Sequence, residues 1–351
     1  MHSVSEEKRL DRKSEEVLAS LMAEFISSGE AVASSTISKR FTRKISSAAV
    51  RNIMRRLEGE GLLEQVHTSG GRIPTDKGVR YYVEHLMSVE DLPEREADEI
   101  IKEYNMSSYN LSDLFVKTSE ILSEFSNLAG VVKTPSLSDI MIKRIEFVSF
   151  GSKRLLGIFV GTDGIVENRI ICLDEDLTHM DLERINNYCN KAFYGHTLVS
   201  ARKKVKQELE EAKKEYDRIL TKALVLSDEV LSEVDRSSIM INGVTVLASR
   251  LDLIDTGKLY AIMRVLEEKG LIMEILDKAI HGDSVSVFVG AESGFEAMSE
   301  CAIVAAPYRR FGNVVGALGI LGPKRMNYPR IVPLVEYAAG CVSRILSGDS
   351  I

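Results

Sequence analysis

Between Ser14 and Ile26 the apolar residues Val17, Leu18, Leu21, Met22 and Phe25 recur at the spacing of one helix face, with Ser14 as the expected cap and Gly29 as the stop. Ser34 or Ser35 can cap a brief second helix that carries Ile37 and ends by Phe41, before a turn through Thr42 to Ile45. Ser46 or Ser47 then caps a third helix. Its inward stripe is Val50, Ile53, Met54 and Leu57, which leaves Ala48, Arg51, Asn52 and Arg55 on the opposite face. Gly59 and Gly61 end that helix, and Glu64 to His67 alternates as a short strand. Thr68-Ser69-Gly70-Gly71 predicts a hairpin tip, because adjacent glycines supply the positive φ that tight turns need. Arg72 to Thr75 returns as the second strand, with Pro74 at an edge or strand end because it cannot donate a ladder hydrogen bond. A helix from Thr75 to Met87 follows, with Val79, Tyr82, Val83 and Leu86 on one side. Three helices, a two-stranded wing and a closing helix are the order of a winged helix-turn-helix, expected over residues 1–88.

The rest of the pattern predicts an α+β chain of several domains. Residues 89–110, acidic around Pro93, are the expected linker. A helical run from Leu111 to Leu128 precedes three strand-like runs, Ile142 to Phe150, Leu155 to Thr162 and Ile165 to Leu173, which read as an antiparallel meander. From Asp174 to His281 the pattern is mainly helical. Leu177 to Phe193 and Ala201 to about Val234 form helices, the second with an apolar seam of Val205, Leu209, Ala212, Tyr216, Ile219 and Leu220. Ile239 to Leu247 reads as strand, and Lys258 to Leu266 and Ile272 to Ala279 as helices. Strands resume at Val285, Cys301 and Val314 before a last helix from Tyr328 to Leu346. A sheet interrupted by a helical block and then completed suggests an inserted domain, expected at 174–281 between sheet segments 111–173 and 282–351.

Composition narrows the classes. A chain of 351 residues exceeds one compact core. Its longest uncharged apolar stretches fall short of the roughly 20 residues that span a bilayer, and no apolar signal core opens the chain, so a cytoplasmic protein is expected. The cysteines Cys172, Cys189, Cys301 and Cys341 lie far apart, which argues against a disulfide framework or zinc ribbon. The net charge of −7 speaks against nucleic acid until it is divided. Residues 36–80 hold ten basic side chains (Lys39, Arg40, Arg43, Lys44, Arg51, Arg55, Arg56, Arg72, Lys77, Arg80) and four acidic ones (Glu58, Glu60, Glu64, Asp76), a local +6 suited to phosphate.

The outward face of the third helix carries the chemistry. Arg51 suits guanine O6/N7, Asn52 suits adenine, and Ala48 suits the thymine methyl. Ser47, Arg55, Arg43, Lys44, Arg72 and Lys77 are the expected phosphate or wing contacts, helped by the N–H groups at the helix start. Tyr81 and Tyr82 beside Arg80 could stack on nucleic acid, although Tyr82 reads better as packing the wing helix onto the core, and His67 reads equally as a DNA contact or a structural or solvated wing residue. Nothing points to an enzyme: G-x-S-x-G, G-x-x-x-x-G-K-[ST] and H-E-x-x-H are all missing, and the six histidines never fall at metal-ligand spacing. Gly312, Gly316, Gly319 and Gly322 do not match G-x-G-x-x-G and read better as close packing of a strand. Neither cofactor nor metal is expected.

Three segments carry a family resemblance: Ser46 to Met54 (SSAAVRNIM), Leu57 to Leu63 (LEGEGLL) and His67 to Gly78 (HTSGGRIPTDKG). Together with Gly322-Pro323-Lys324-Arg325-Met326-Asn327-Tyr328 and Pro333-Leu334-Val335, they resemble the heat-inducible transcription repressor HrcA family over nearly the whole chain. The chain departs from the family at Glu30 to Ser35, where Ser35 replaces a usual arginine, and at Val79, where an aromatic is usual. The resemblance implies a GAF-like domain split by an inserted dimerisation domain. It also implies a homodimer on the CIRCE inverted-repeat operator of groESL and dnaK type operons, kept active by the GroEL chaperonin. The alternative kept open is a ligand-responsive repressor whose GAF-like domain senses a small metabolite.

Overall fold

The computed structural model describes residues 9–41, 45–66, 71–105, 111–135, 141–162, 166–197, 200–205, 207–208, 218–234, 238–249 and 256–349. These residues fall into two units, one formed by Met1–Lys133 with Ile239–Ile351 and the other by Thr134–Ser238.

The first unit begins with three helices, α1 (Arg12–Ser28), α2 (Ser34–Arg40) and α3 (Ser47–Gly59). Asp11 rather than Ser14 caps α1, its side chain accepting from the Ser14 N–H, and Gly29 closes the helix in the left-handed region at φ +72°. Ala33 stands at the cap of α2 without a side-chain bond, and Ser46 caps α3 by accepting from the Ala49 N–H. Val17, Leu18, Leu21, Met22, Ile37, Val50, Met54 and Leu57 are fully buried and hold the three helices together. Strands β1 (Leu63–Gln65) and β2 (Arg72–Pro74) pair antiparallel in the register Leu63 to Pro74 and Gln65 to Arg72. Val32 and Arg72 exchange both backbone hydrogen bonds, at 2.9 and 3.0 Å, so the return strand is stitched to the segment before α2. α4 (Asp76–Tyr81) continues through a π-helical turn, Tyr82–Leu86. Tyr81 and Tyr82 are both buried, and the Tyr81 hydroxyl accepts from the Leu10 N–H, so neither ring is available to stack on nucleic acid.

α5 (Glu94–Asn105) occupies much of the expected linker. Its acidic residues mask a helical spacing in which Ile100 and Tyr104 are buried, with the Tyr104 hydroxyl donating to Thr118 at 3.1 Å. α6 (Leu111–Ser126) leads into β3 (Ala129–Lys133), which is buried throughout. The sheet of this unit also contains β7 (Ile239–Asn242), β8 (Ser286–Val289), β9 (Cys301–Arg310) and β10 (Asn313–Pro323), in the antiparallel order β7-β3-β10-β9-β8. The glycines of β10 serve its packing, since a Cβ at Gly319 would overlap the Val304 carbonyl and one at Gly316 the Tyr308 hydroxyl. Strand does not run on to Leu247: β7 ends at Asn242, and Gly243 at φ +86° turns the chain into α9 (Val244–Ser249). A Cβ at Gly243 would meet Ser123, so only glycine makes that turn. α10 (Thr256–Glu267), α11 (Lys269–Ile280) and the long α12 (Tyr328–Ser347) complete the unit.

In the second unit β4 (Ile142–Ser149), β5 (Arg154–Gly161) and β6 (Val166–Cys172) form the expected meander. Ile142, Ile145, Phe147, Leu155, Phe159 and Ile171 are buried in one core with residues of α7 (His179–Phe193) and α8 (Arg218–Val234). Asn186 and Asn190 of α7 each exchange two hydrogen bonds with the backbone of β4, at Phe147 and Ile145, and tie helix to strand. The unit therefore begins at Thr134 and ends at Ser238, whereas the change from strand to helix in the sequence suggested 174 and 281. The meander's apolar side is answered by α7 and α8, while β7 and the helices α9, α10 and α11 pack with the five-stranded sheet.

Candidate nucleic-acid interface

The exposed face of α3 is the candidate site. Ala48, Arg51, Asn52 and Arg55 are exposed on one side of the helix, while Val50, Met54 and Leu57 on the other are fully buried. That burial fixes the rotation of α3 and hence the direction of the exposed face. Ser47, in the first turn, is half-buried, and its hydroxyl lies 3.0 Å from that of Ser34 in α2, linking the two helices where the face begins.

The surrounding charges divide into paired and open. Arg40 pairs with Glu24, and Arg56 with Asp11. The Ser14 N–H, with the Arg56 charge beside it, holds the Asp11 carboxyl below the usual range. Arg72 pairs with Glu58, whose Oε2 accepts from Nε at 2.9 Å and lies 2.8 Å from Nη2. Lys39, Arg51 and Arg55 are exposed and form no ion pair with a described residue. The cations left open thus sit on α2 and on the outward face of α3.

Two of the expected contacts change meaning. Arg72 is 8% exposed and committed to Glu58, so it is a clamp between β2 and α3 rather than an open phosphate contact. Lys77 is exposed, but its ammonium donates to the Glu60 carbonyl at 3.3 Å, beyond the last turn of α3. At 1.5 Å per residue that is about 18 Å along the helix from Ala48 and about 8 Å from Arg55, so Lys77 stands at the far end of the exposed face. Arg43 and Lys44, with His67, lie outside the described residues. Sequence reasoning missed Ser34, Glu58 and Asp76. The Asp76 carboxylate accepts from the Ala291 N–H at 3.0 Å and pairs with Lys324 at 2.8 Å, a contact between positions with no local signal.

Among the described residues no helix is long and apolar enough to cross a membrane. The α3 face offers hydrogen-bond donors, an amide and a methyl at the start of a helix, a combination suited to base edges flanked by phosphates.

Comparison with known proteins agrees with that chemistry. The model of the HrcA protein C terminal domain matches residues 112–332. A heat-inducible transcription repressor HrcA of Geobacter sulfurreducens is 34% identical over 349 residues, covering 99% of this chain and 100% of the relative. That of Syntrophobacter fumaroxidans is 32% identical, covering 96% and 97%. A crystal structure of a hypothetical protein has a TM-score of 0.65 at 21% identity over 97% of this chain and 99% of its own, and so shares the fold. The matching model and the near full-length relatives place the chain in the HrcA family of heat-inducible transcription repressors.

Proposed function

We propose that the chain is a cytoplasmic, dimeric winged helix-turn-helix repressor that binds the CIRCE inverted repeat of chaperone operons and is kept active by the GroEL chaperonin. The observation that carries this reading is the face of Ala48, Arg51, Asn52 and Arg55, exposed and without an ion pair to a described residue, while Arg40, Arg56 and Arg72 nearby are spent on ion pairs. α3 is the recognition helix, and β1 with β2 is the base of the wing. Arg51, Asn52 and Ala48 meet bases, and Ser47, Arg55, Arg43 and Lys44 meet phosphate. Lys77 adds a distal phosphate contact.

The domain reading is a GAF-like body carrying an insertion. Its support is that the chain leaves the five-stranded sheet at Lys133 and re-enters at Ile239, on the neighbouring strand. Support for a homodimer lies within the second unit. The side of its meander turned away from α7 and α8 carries Val148, Val166 and Ile170 exposed at 43, 53 and 49%, with Leu156 and Ile158 half-buried between them. An apolar sheet face of this kind fits the same face of a second copy about a two-fold axis, which a palindromic operator would share.

Footprinting on the host's chaperone promoters, with and without GroEL, tests the reading. Two protected half-sites, occupied at lower protein concentration when GroEL is present, are expected. Absence of protection at an inverted repeat would overturn the operator assignment, and indifference to GroEL would overturn the chaperonin's part.

A further inference from the structure

We propose that Asp76 and Lys324 form a latch that fixes the DNA-binding head on the body and so makes the repressor discriminate the spacing between half-sites. The inference rests on the dimeric operator reading above and adds to it the residues that hold the geometry.

Asp76 opens α4, two residues after the wing strand β2 ends at Pro74. Any freedom at Asp76 is therefore transmitted to the wing through a very short connection. Both carboxylate oxygens are engaged by the body: Oδ1 with the Lys324 ammonium at 2.8 Å, Oδ2 with the Ala291 N–H at 3.0 Å. The socket has no slack, because Gly290 stands at φ +53° and a Cβ there would overlap the carboxylate. The side chains of Asp76 and Lys324 are only 19 and 27% exposed, so the pair is sheltered from full screening. Lys324 in turn follows directly on β10, the central strand of the sheet, and its carbonyl accepts from the Tyr328 hydroxyl at 2.7 Å. The head is thus tied to the end of the central strand of the sheet.

Two further observations bear on this pair. Next to Lys324, the Arg325 guanidinium lies against Gly29 at the C-terminal end of α1, where a Cβ would overlap it, so two successive residues of one turn grip the head at two helix ends. Beside the latch the surface is indented. A crevice runs between Arg80, Val83 and Met87 of the head and Val285, Val287 and Phe288 of the body. These apolar residues are partly buried against the core that head and body share, and Asp76, Lys324 and Arg325 add the directional contacts that apolar packing lacks.

The latched state leaves the α3 face exposed, so the latch does not occlude DNA. Its effect is on the pair of heads. Two rigidly held heads gain avidity only when both half-sites match their separation, whereas loosely held heads tolerate other separations and gain less at the right one.

The test titrates full-length protein, Asp76→Asn and Lys324→Met at fixed salt by fluorescence anisotropy. The probes are a duplex with the CIRCE inverted repeat, the same repeat with about half a helical turn (about 5 bp) inserted between its halves, and a single half-site. Wild-type protein should lose on the order of 100-fold in affinity on insertion, and each variant about tenfold or less, with half-site affinity unchanged. Lys324→Met alters only the body, so a folding defect of the head cannot mimic this result. Hydrogen exchange should quicken at Asp76–Tyr81 and Gly290–Ser293 and stay unchanged at Val50 and Met54. Either variant keeping the wild-type spacing profile, or losing half-site affinity in step with operator affinity, overturns the latch. Wild-type protein indifferent to the insertion would instead refute the dimeric operator reading, and the latch with it.

Discussion

Replacing Arg72 separates a structural clamp from a DNA contact. The side chain is 10% exposed and two of its guanidinium nitrogens reach one oxygen of Glu58, whose own side chain is 33% exposed. Exposed ion pairs contribute about 0.2–1 kcal/mol, whereas breaking a buried one costs about 3–5 kcal/mol. This pair lies between, because Glu58 can recover part of its hydration once its partner is gone. Arg72→Met keeps most of the aliphatic packing and the backbone pairing with Val32, so the expected loss is about 2 kcal/mol. Urea unfolding followed by circular dichroism reads this as a lower midpoint at unchanged slope. Glu58→Gln should cost a similar amount, and the double variant less than the sum, since the two residues share one interaction. Operator affinity of the folded Arg72→Met protein should stay within about threefold of wild type, well under the loss of a specific base contact. A variant of unchanged stability that no longer binds the operator would refute the clamp and restore Arg72 as a DNA contact.

Other perturbations probe separate parts of the structure. A Cβ at Gly78 would collide with the backbone carbonyl of Leu62, which cannot rotate away, so Gly78→Ala should cost on the order of 1–3 kcal/mol in thermal unfolding; an unchanged midpoint would show that α4 is free to move off the segment before β1. Burial pushes the Cys189 thiol up to about 11 and, with help from the Glu300 charge, the Cys301 thiol up to about 12, from an ordinary value of 9.0. Groups raised in the folded state favour it while protonated, so their contribution is complete below pH 9 and is lost as pH climbs through 11 to 12. Denaturation midpoints measured from pH 8 upward check the sign. At pH 8 a maleimide should label native protein once, at exposed Cys172, and rapid labelling of a second cysteine would contradict the burial of the other three.

What could be read from the sequence follows from the range of the interactions involved. α3 was legible because its period of 3.6 separates Val50, Met54 and Leu57 from Ala48, Arg51, Asn52 and Arg55 without help from the rest of the chain. The meander was legible because its three strands follow one another closely in sequence and each alternates locally. The division of the body was not. β3 pairs with β10, nearly two hundred residues later, and nothing local distinguishes it from β4, which belongs to the other unit. The fate of Arg72 depended on Glu58, a helix turn and a hairpin away, and charge counting treats a paired and an open arginine alike. The local excess of +6 was therefore a true sum with a misleading distribution, since Arg40, Arg56 and Arg72 are spent on pairs and the open cations lie on α2 and α3. Asp76 was visible as a helix-starting residue only; its engagement by Lys324 and Ala291 exists solely in the folded chain.

The central claim is that the outward face of α3 reads the operator, and Arg51→Ala tests it most directly. At fixed salt, titration of the CIRCE duplex and of a scrambled duplex should show a loss of about 1–3 kcal/mol per half-site on the operator. Affinity for the scrambled duplex should fall only slightly. Lys77→Ala, in the same assay, should weaken both duplexes alike and flatten the salt dependence. Operator binding by Arg51→Ala equal to that of wild type would contradict the assignment of α3 as the recognition helix.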